Sequence, residues 1–276
     1  MRTLKLILIF FSCFNIFSQE IYSEIISSIN NNKDRYQDTA MSIWELAELG
    51  YQEYESSEIL QILLEDEGFF IEKGVADIPT AFIASYGSGS PEIAILGEYD
   101  ALPGLSQKST PYKISNNGKA GHACGHHLFG TASAAAAVAL KKFLVKSKKS
   151  GTIKFFGCPA EEGGSGKVYM TKAGLFNNSD VALHWHPSSI NGASPKPALA
   201  NKSAKFRFYG VSAHAAAAPE MGRSALDAVE SMNTMVNMMR EHVDQSTRIH
   251  YVITKGGEAP NVVPAFAEVY YYARLI

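Results

Sequence analysis

The segment 121–127, Gly-His-Ala-Cys-Gly-His-His, carries the densest set of metal-binding side chains in the sequence. Cys124 and His126 are two positions apart with a glycine between them, a spacing that can place a thiolate and an imidazole on one ion. The alternative is a polar loop that precedes a helix. Four residues of ligand type within six positions favour a metal site over that loop.

Two adjacent carboxylates, Glu161 and Glu162, follow the predicted strand 151–158. Such a pair can divide the work of hydrolysis, because one carboxylate binds a metal and the other moves the proton of a water. A lone Glu-Glu pair is more often a solvated surface. Its position at the end of a strand favours a functional role for this pair, because open α/β sheets bind their ligands at the strand ends.

Polar side chains also follow two other predicted strands. The sequence His184-Trp185-His186 closes one of them, and strand alternation predicts that His184 and His186 point to the same side. One could be a metal ligand and the other its neighbour. Asp100 closes a third strand and is a candidate to accept an N–H from a ligand histidine, which would fix the tautomer of that ring. Three strand ends and one helix start therefore predict a common metal site.

The elements that would position these residues alternate between helix and strand, which predicts an α/β sheet with helices on its faces. Segment 21–67 and the Ala-rich segment 127–146 have helical patterns. The predicted strands of this part are 69–72, 80–85, 93–96, 151–158 and 181–186.

The pattern changes after Pro195-Lys196-Pro197. An alternating strand, an amphipathic helix and two more strands follow, which is an α+β arrangement. We place a domain boundary near residue 198, between a metal-binding domain 19–198 and a second domain 199–276.

The composition is that of a globular protein, with 276 residues, 46% hydrophobic residues and a net charge of −2. That charge gives no reason to expect nucleic-acid or polybasic membrane binding. The apolar runs are too short for a stable membrane span. Residues 1–18 combine a basic start, a short apolar run and a small residue, which predicts a signal peptide and a periplasmic or secreted protein.

Taken together, five motifs resemble the dinuclear metallo-amidohydrolases and peptidases of the aminoacylase and carboxypeptidase type, and within them the type B aminobenzoyl-glutamate utilisation subgroup. The resemblance implies a metallopeptidase-like catalytic domain with an inserted α+β lid and dimerisation domain. The motifs are LGEYDALPGLS (96–106), GHACGHHLFG (121–130), GTIKFFGCPAEEGGSGK (151–167), LHWHP (183–187) and GVSAHAAAAPEMGR (210–223).

Roles for individual residues follow from that resemblance. Glu161 would be the general acid and base, Asp100 the partner of a ligand histidine, and His184 a neighbour of the ligands. Glu98 stands where relatives with another ligand set carry a histidine, so its role stays open. The implied metal ligands are Cys124, His126, Glu162 and His186.

In the lid domain, the resemblance implies that His214 reaches the active site of a partner subunit and stabilises an oxyanion. Asn261 and Arg274 match positions that hold a substrate carboxylate, to which an arginine fork is well suited. The chain would therefore form a homodimer through this domain.

The implied activity is hydrolysis of an amide bond in N-acyl or aminobenzoyl amino acids, or in small dipeptides, with two divalent ions, Mn or Zn. Members of the family return to the catalytic domain after the lid and supply a last histidine ligand there, so we expect this chain to be a fragment. Two alternatives stay open: a truncated, non-catalytic metal- or peptide-binding relative, and a secreted dipeptidase of the same chemistry.

Overall fold

A computed structural model describes residues 21–193 and 197–275. The predicted signal peptide 1–18 lies outside the described residues. The chain divides into two compact units, and the division falls between Ile190 and Asn191, a few residues before the predicted position 198.

The first unit is built on a five-stranded mixed sheet. Its strands are β1 (Phe70–Lys73), β2 (Phe82–Ser88), β3 (Glu92–Gly97), β6 (Gly151–Gly157) and β7 (Val181–Leu183), and a small hairpin of β4 (Leu102–Pro103) and β5 (Ala120–Gly121) accompanies them. The strand order in the sheet is β1-β2-β6-β3-β7. β3 runs parallel to both β6 and β7, whereas β1 and β2 are antiparallel to their neighbours. The α/β class is therefore confirmed.

Helices pack against this sheet through apolar faces. Leu60 and Leu64 of one helix and Val138 of another enclose Phe82 and Phe155 of the sheet in a single buried cluster. Burial of such side chains stabilises the fold by about 1.5–3 kcal/mol each. The helices are α1 (21–31), α2 (Lys33–Leu46), α3 (Tyr54–Asp66), α4 (His126–Ser147), the short α5 (Glu161–Gly164) and α6 (Gly166–Lys172).

The Ala-rich segment forms the long helix α4, as its composition predicts. By length and hydropathy α4 could also cross a membrane. However, Phe129, Ala134 and Ala137 on this helix are fully buried within the first unit. Core packing therefore accounts for its apolar character.

The second unit is a three-stranded antiparallel sheet with one helix on one face. Its elements are β8 (Ala200–Tyr209), α7 (Ala225–Met239), β9 (Arg248–Lys255) and β10 (Phe266–Leu275), and the strand order is β8-β10-β9. Ser224 caps the helix by accepting a hydrogen bond from Asp227 N–H at 3.1 Å. Val229 on this helix packs against Ile249 and Val269 of the sheet.

Candidate metal centre

The predicted site residues of the first unit follow the carboxyl ends of three parallel strands. β3 leads to Asp100, β6 leads to Glu161 and Glu162, and β7 leads to His186. Because the strands are parallel, these ends meet at one edge of the sheet. His126, the first residue of α4, completes the group.

Three of the four predicted ligands come together at this edge. The ligand atoms of Cys124, His126 and His186 lie within 4.8 Å of one another. Cys124 Sγ is 3.4 Å from His186 Nε2. The imidazole rings of His126 and His186 meet edge to face, with their centroids 5.6 Å apart. One sulfur and two nitrogen donors in this arrangement suit zinc or another borderline-soft divalent ion.

A second group of potential ligands shares His126 with the first. Its Nε2 lies 3.0 Å from Glu98 Oε2 and 4.0 Å from Glu161 Oε2. The Nδ1 atom of His126 lies against Asp100, so only Nε2 offers a lone pair to an ion. One lone pair serves one ion, so the two groups cannot both bind a metal through His126.

Buried atoms without partners support cation binding at this place. His126 Nε2, Glu98 Oε2 and Glu162 Oε1 are buried and have no hydrogen-bond partner among the residues that the structure describes. His126 Nε2 and Glu98 Oε2 face each other at 3.0 Å without hydrogen-bond geometry. Unsatisfied buried acceptors are costly, and cations bound beside them would lower that cost. The residues present therefore fit a metal ion.

Asp100 holds two of the predicted ligands at once. Its Oδ1 accepts a hydrogen bond from His126 Nδ1 at 2.8 Å, and its Oδ2 accepts one from Glu162 N–H at 2.7 Å. Burial lowers the pKa of His126, but the carboxylates of Asp100 and Glu98 more than reverse this effect and raise it to about 10. The same negative charge would favour a metal cation at Nε2 in place of the proton. The carboxylate of Glu162 lies outside both ligand groups.

Glu98, whose role the sequence leaves open, is buried and lies next to three basic side chains, those of His126, Lys167 and His184. It pairs with Lys167 Nζ, and its Oε1 lies 3.6 Å from His184 Nε2. Burial raises the pKa of Glu98, but His126, His184 and Lys167 outweigh it and hold that pKa below its usual range. Sequence reasoning missed Lys167, because nothing in a Gly-rich turn indicates which acid a following lysine will meet.

Burial and neighbouring carboxylates raise the pKa values of both Glu161 and Cys124. Burial and the charges of Glu98 and Glu162 raise the pKa of Glu161, which suits a group that must accept and return a proton. Burial and the neighbouring carboxylate of Glu162 raise the pKa of Cys124 to about 12. The Cys124 thiol must therefore lose its proton when a metal binds to it.

His184 and His186 are placed by packing and not by strand alternation. The prediction that the strand extends to His186 is wrong, because β7 leaves its ladder with β3 after Leu183. Beyond that point the ring of Phe129 packs edge to face on His184 at 4.9 Å and on His186 at 6.0 Å. His184 then faces Glu98 and His186 faces Cys124, so the two histidines have different neighbours.

The predicted residues of the second unit separate into two places. His214 Nδ1 accepts N–H groups of Ala216 and Ala217 at 3.2 and 3.1 Å, so the ring proton is on Nε2 of an exposed side chain. Asn261 lies beside His214, since the backbone carbonyl oxygen of Asn261 accepts a hydrogen bond from Ala215 N–H at 3.1 Å. Arg274 lies towards the far end of β10, stacked on Tyr272 with Cζ 5.7 Å from the ring centroid. The structure does not bring Arg274 to Asn261 within this chain.

Comparison with known proteins gives a consistent result. The chain is 49% identical over 260 residues to the B-type subunit of the p-aminobenzoyl-glutamate hydrolase of Escherichia coli K12, covering 93% of this chain and 54% of that protein. It is 34% identical over 258 residues to the Xaa-Arg dipeptidase of Mus musculus, covering 89% of this chain and 56% of the relative. The chain thus spans about half the length of the curated relatives it matches.

Solved structures and family models agree with these relatives. The fold is similar to that of an aminobenzoyl-glutamate utilization protein from Klebsiella pneumoniae, with a TM-score of 0.61, 20% identity, and coverage of 91% of this chain and 66% of the other. Residues 94–266 match the model of peptidase family M20/M25/M40. These residues include the strand ends, the loop that carries Cys124 and most of the second unit. The chain belongs to peptidase family M20/M25/M40.

Proposed function

We propose that the protein is a metal-dependent amidohydrolase that cleaves the amide bond of small N-acyl or aminobenzoyl amino acids or dipeptides. The observation that carries this proposal is the convergence of Cys124, His126 and His186 beside buried oxygens of Glu98 and Glu162 that have no hydrogen-bond partner in the described part of the chain. Two curated relatives are named for hydrolysis of p-aminobenzoyl-glutamate and of Xaa-Arg dipeptides. Both names describe cleavage of an amide bond to an amino acid.

The cofactors would be two divalent ions, Mn or Zn. Cys124, His126 and His186 would hold one ion, and Glu162, whose Oε1 is buried, would join the ligands. Such ions, when bound, lower the pKa of water and polarise a carbonyl oxygen. The thiolate and imidazole donors favour zinc, whereas the surrounding carboxylates also suit manganese.

Glu161 would carry the protons of the reaction. It accepts a proton from the attacking water while the water oxygen bonds to the amide carbon, and it returns that proton to the leaving nitrogen as the C–N bond breaks. Because its pKa is raised, Glu161 is a stronger base towards water than an ordinary carboxylate, and it can still return the proton to the leaving nitrogen. Asp100 keeps the proton of His126 on Nδ1 and so leaves Nε2 for the metal.

The second unit would act as a lid and dimerisation domain. His214 carries its proton on Nε2, and it would donate that proton in a hydrogen bond to the oxyanion in a partner subunit. Arg274 and Asn261 would bind the substrate carboxylate. Asn261 lies in the loop before β10 and Arg274 lies near the end of that strand, and we propose that they serve different subunits of the dimer. One relative is named as a single subunit, of type B, of its hydrolase. A second kind of chain in the assembly is therefore part of this proposal. Export to the periplasm or outside the cell is part of this proposal.

A substrate panel tests the activity. The protein at its native length, loaded with Zn²⁺ or Mn²⁺, should hydrolyse at least one of p-aminobenzoyl-glutamate, N-acetyl amino acids and Xaa-Arg dipeptides. Glu161→Gln should lower kcat by about 10²–10⁴-fold while metal content stays unchanged. Glu58→Gln, at an exposed position of α3, is the control. Metal binding without turnover of any of these substrates would favour the non-catalytic alternative.

A further inference from the structure

A loop that precedes α3, residues 50–53, is built against the turn that carries Glu161 and Glu162. Glu53 in this loop is fully buried. Its Oε1 accepts the N–H of Ala160 at 2.7 Å, and its Oε2 accepts the hydroxyl of Thr80 at 3.1 Å. Both oxygens of this carboxylate are thus used to hold other residues in place.

The amide that Glu53 holds belongs to a residue in an unusual conformation. Ala160 has φ 56° and ψ 41°, the left-handed region, which is unfavourable for a residue with a Cβ. Gly50 leaves the space for it, because a Cβ on Gly50 would lie 3.0 Å from both Cα and Cβ of Ala160. The hydrogen bond that Ala160 N–H donates to the buried Glu53 carboxyl group stabilises the same conformation. The backbone therefore enters the Glu161-Glu162 turn in one fixed direction.

Tyr51 holds the other end of the turn. Its hydroxyl donates a hydrogen bond to the carbonyl oxygen of Gly164 at 2.7 Å. Ala160 and Gly164 bracket Glu161 and Glu162, so residues of one short loop bind both ends of the segment. Asp100 holds the middle of the segment through Glu162 N–H.

We infer that Glu53 and Tyr51 are positioning residues that aim the Glu161 and Glu162 carboxylates at the metal centre. Neither residue belongs to the two ligand groups. They act through the backbone of the turn, by fixing Ala160 and Gly164. This inference rests on the proposed function for the roles of Glu161 and Glu162, but the rigidity of the turn can be measured without any metal.

Amide hydrogen exchange of the metal-free, native-length chain is the first test. Glu162 N–H is the informative probe, because its acceptor Asp100 is left intact in every variant. Glu53→Ala should raise the exchange rate of this amide about tenfold, and Tyr51→Phe about threefold, as expected for the loss of one hydrogen bond that supports the turn. Glu53→Gln should behave like the wild type, because its amide oxygen can still accept Ala160 N–H.

Glu48→Ala is the matched control. The Glu48 carboxylate also accepts backbone N–H groups, but at the start of α3, from Glu55 and Ser56. Unchanged exchange at Glu162 in Glu53→Ala, or an equal increase in Glu48→Ala, would overturn the inference. If Glu53→Ala does not fold, Tyr51→Phe decides in the same way, with unchanged exchange counting against it.

Metal affinity is the second test, with Zn²⁺ as the probe in a calorimetric titration. Glu53→Ala should bind Zn²⁺ about tenfold more weakly, which is typical when support of a ligand is removed, and Glu53→Gln should restore the affinity. Wild-type affinity in a folded Glu53→Ala variant would overturn the inference. If the wild type binds neither Zn²⁺ nor Mn²⁺, the proposed function fails, and the exchange experiment decides the positioning role on its own.

Discussion

Asp100 accepts a hydrogen bond from Nδ1 of His126 at 2.8 Å, and both side chains are buried. The second oxygen of the same carboxylate accepts Glu162 N–H at 2.7 Å. One side chain therefore sets the tautomer of one proposed ligand and the backbone position of another. This arrangement links the start of α4 to the segment after β6 through one buried acid.

Replacing Asp100 by asparagine should weaken metal binding. An asparagine has one acceptor oxygen and an NH₂ group that only donates, so either His126 or Glu162 loses its side-chain acceptor, and His126 would keep only the backbone carbonyl oxygen of residue 100. Zn²⁺ affinity measured by calorimetry should fall about 10–100-fold. Asp180→Asn is the control, because Asp180 also accepts a backbone amide, that of Glu92 at 2.8 Å, at the other end of β3. Equal affinity of the Asp100→Asn variant and the wild type would contradict the proposed role.

Replacing Cys124 by serine should change the preference among metals. A hydroxyl is a poor ligand for soft cations, so Cd²⁺ and Zn²⁺ should lose more affinity than Mn²⁺. The ultraviolet thiolate absorption of the Cd²⁺ complex should vanish in Cys124→Ser. It should persist in the control Cys158→Ala, because the buried Cys158 thiol contacts the carbonyl oxygen of Phe156 in the unmodified chain. Thiolate absorption that survives in Cys124→Ser would show that Cys124 is not a ligand.

Binding of a metal through Cys124 should also depend on pH. Because the pKa of this thiol is raised to about 12, the thiol is protonated at neutral pH and must release a proton to the solvent on binding. The His126 imidazole, whose pKa is raised to about 10, must release a proton as well. Zn²⁺ affinity should therefore rise about a hundredfold per pH unit between pH 6 and 8, and about two protons should be released per ion, one of them from Cys124. Proton release can be measured by titration in buffers of different ionisation enthalpy. Release that is unchanged in Cys124→Ser would contradict this assignment.

Stability should fall as pH rises because of Glu53. Burial raises its pKa from 4.5 to about 7 in the folded chain. Below pH 4.5 Glu53 is protonated in both states, and between pH 4.5 and 7 the unfolded chain loses the proton while the folded chain keeps it. The free energy of unfolding, relative to that of Glu53→Gln, should fall by about 3 kcal/mol across this window and then stay constant. Chemical unfolding at pH 4 and pH 8 measures the difference, and a constant difference would contradict the prediction.

His214 should act across a dimer interface. His214→Ala in the native-length protein should lower kcat about 10²–10³-fold with a small change in KM, because the ring donates to an oxyanion. His242→Ala, at another exposed histidine of the second unit, is the control. Mixing inactive His214→Ala with inactive Glu161→Gln should restore about one quarter of wild-type turnover, because half of the dimers are mixed and each has one complete site. Absence of recovery, in samples shown to exchange subunits, would place His214 outside its partner's site.

Local pattern was sufficient for the larger elements and for part of the site. Alternation and apolar periodicity predicted the strands β2, β3 and β6 and the buried helix α4 to within a few residues. Three strand ends and one helix start predicted a common metal site, and the family resemblance implied that Cys124, His126 and His186 are among its ligands. The structure brings the ligand atoms of these three residues within 4.8 Å of one another. Periodicity failed at the end of β7, where packing of Phe129 and not strand pairing decides the direction of His184.

The contacts that tune the site were beyond the reach of the sequence. Lys167 meets Glu98 across 69 positions of the chain, and Glu53 meets Ala160 across 107. By itself, the sequence determined the α/β class, the family, and the residue types that can bind a metal and move a proton. Only the tertiary structure decided which buried acid pairs with which cation or amide, because such pairs depend on how distant segments pack against one sheet, and local patterns carry no record of that packing.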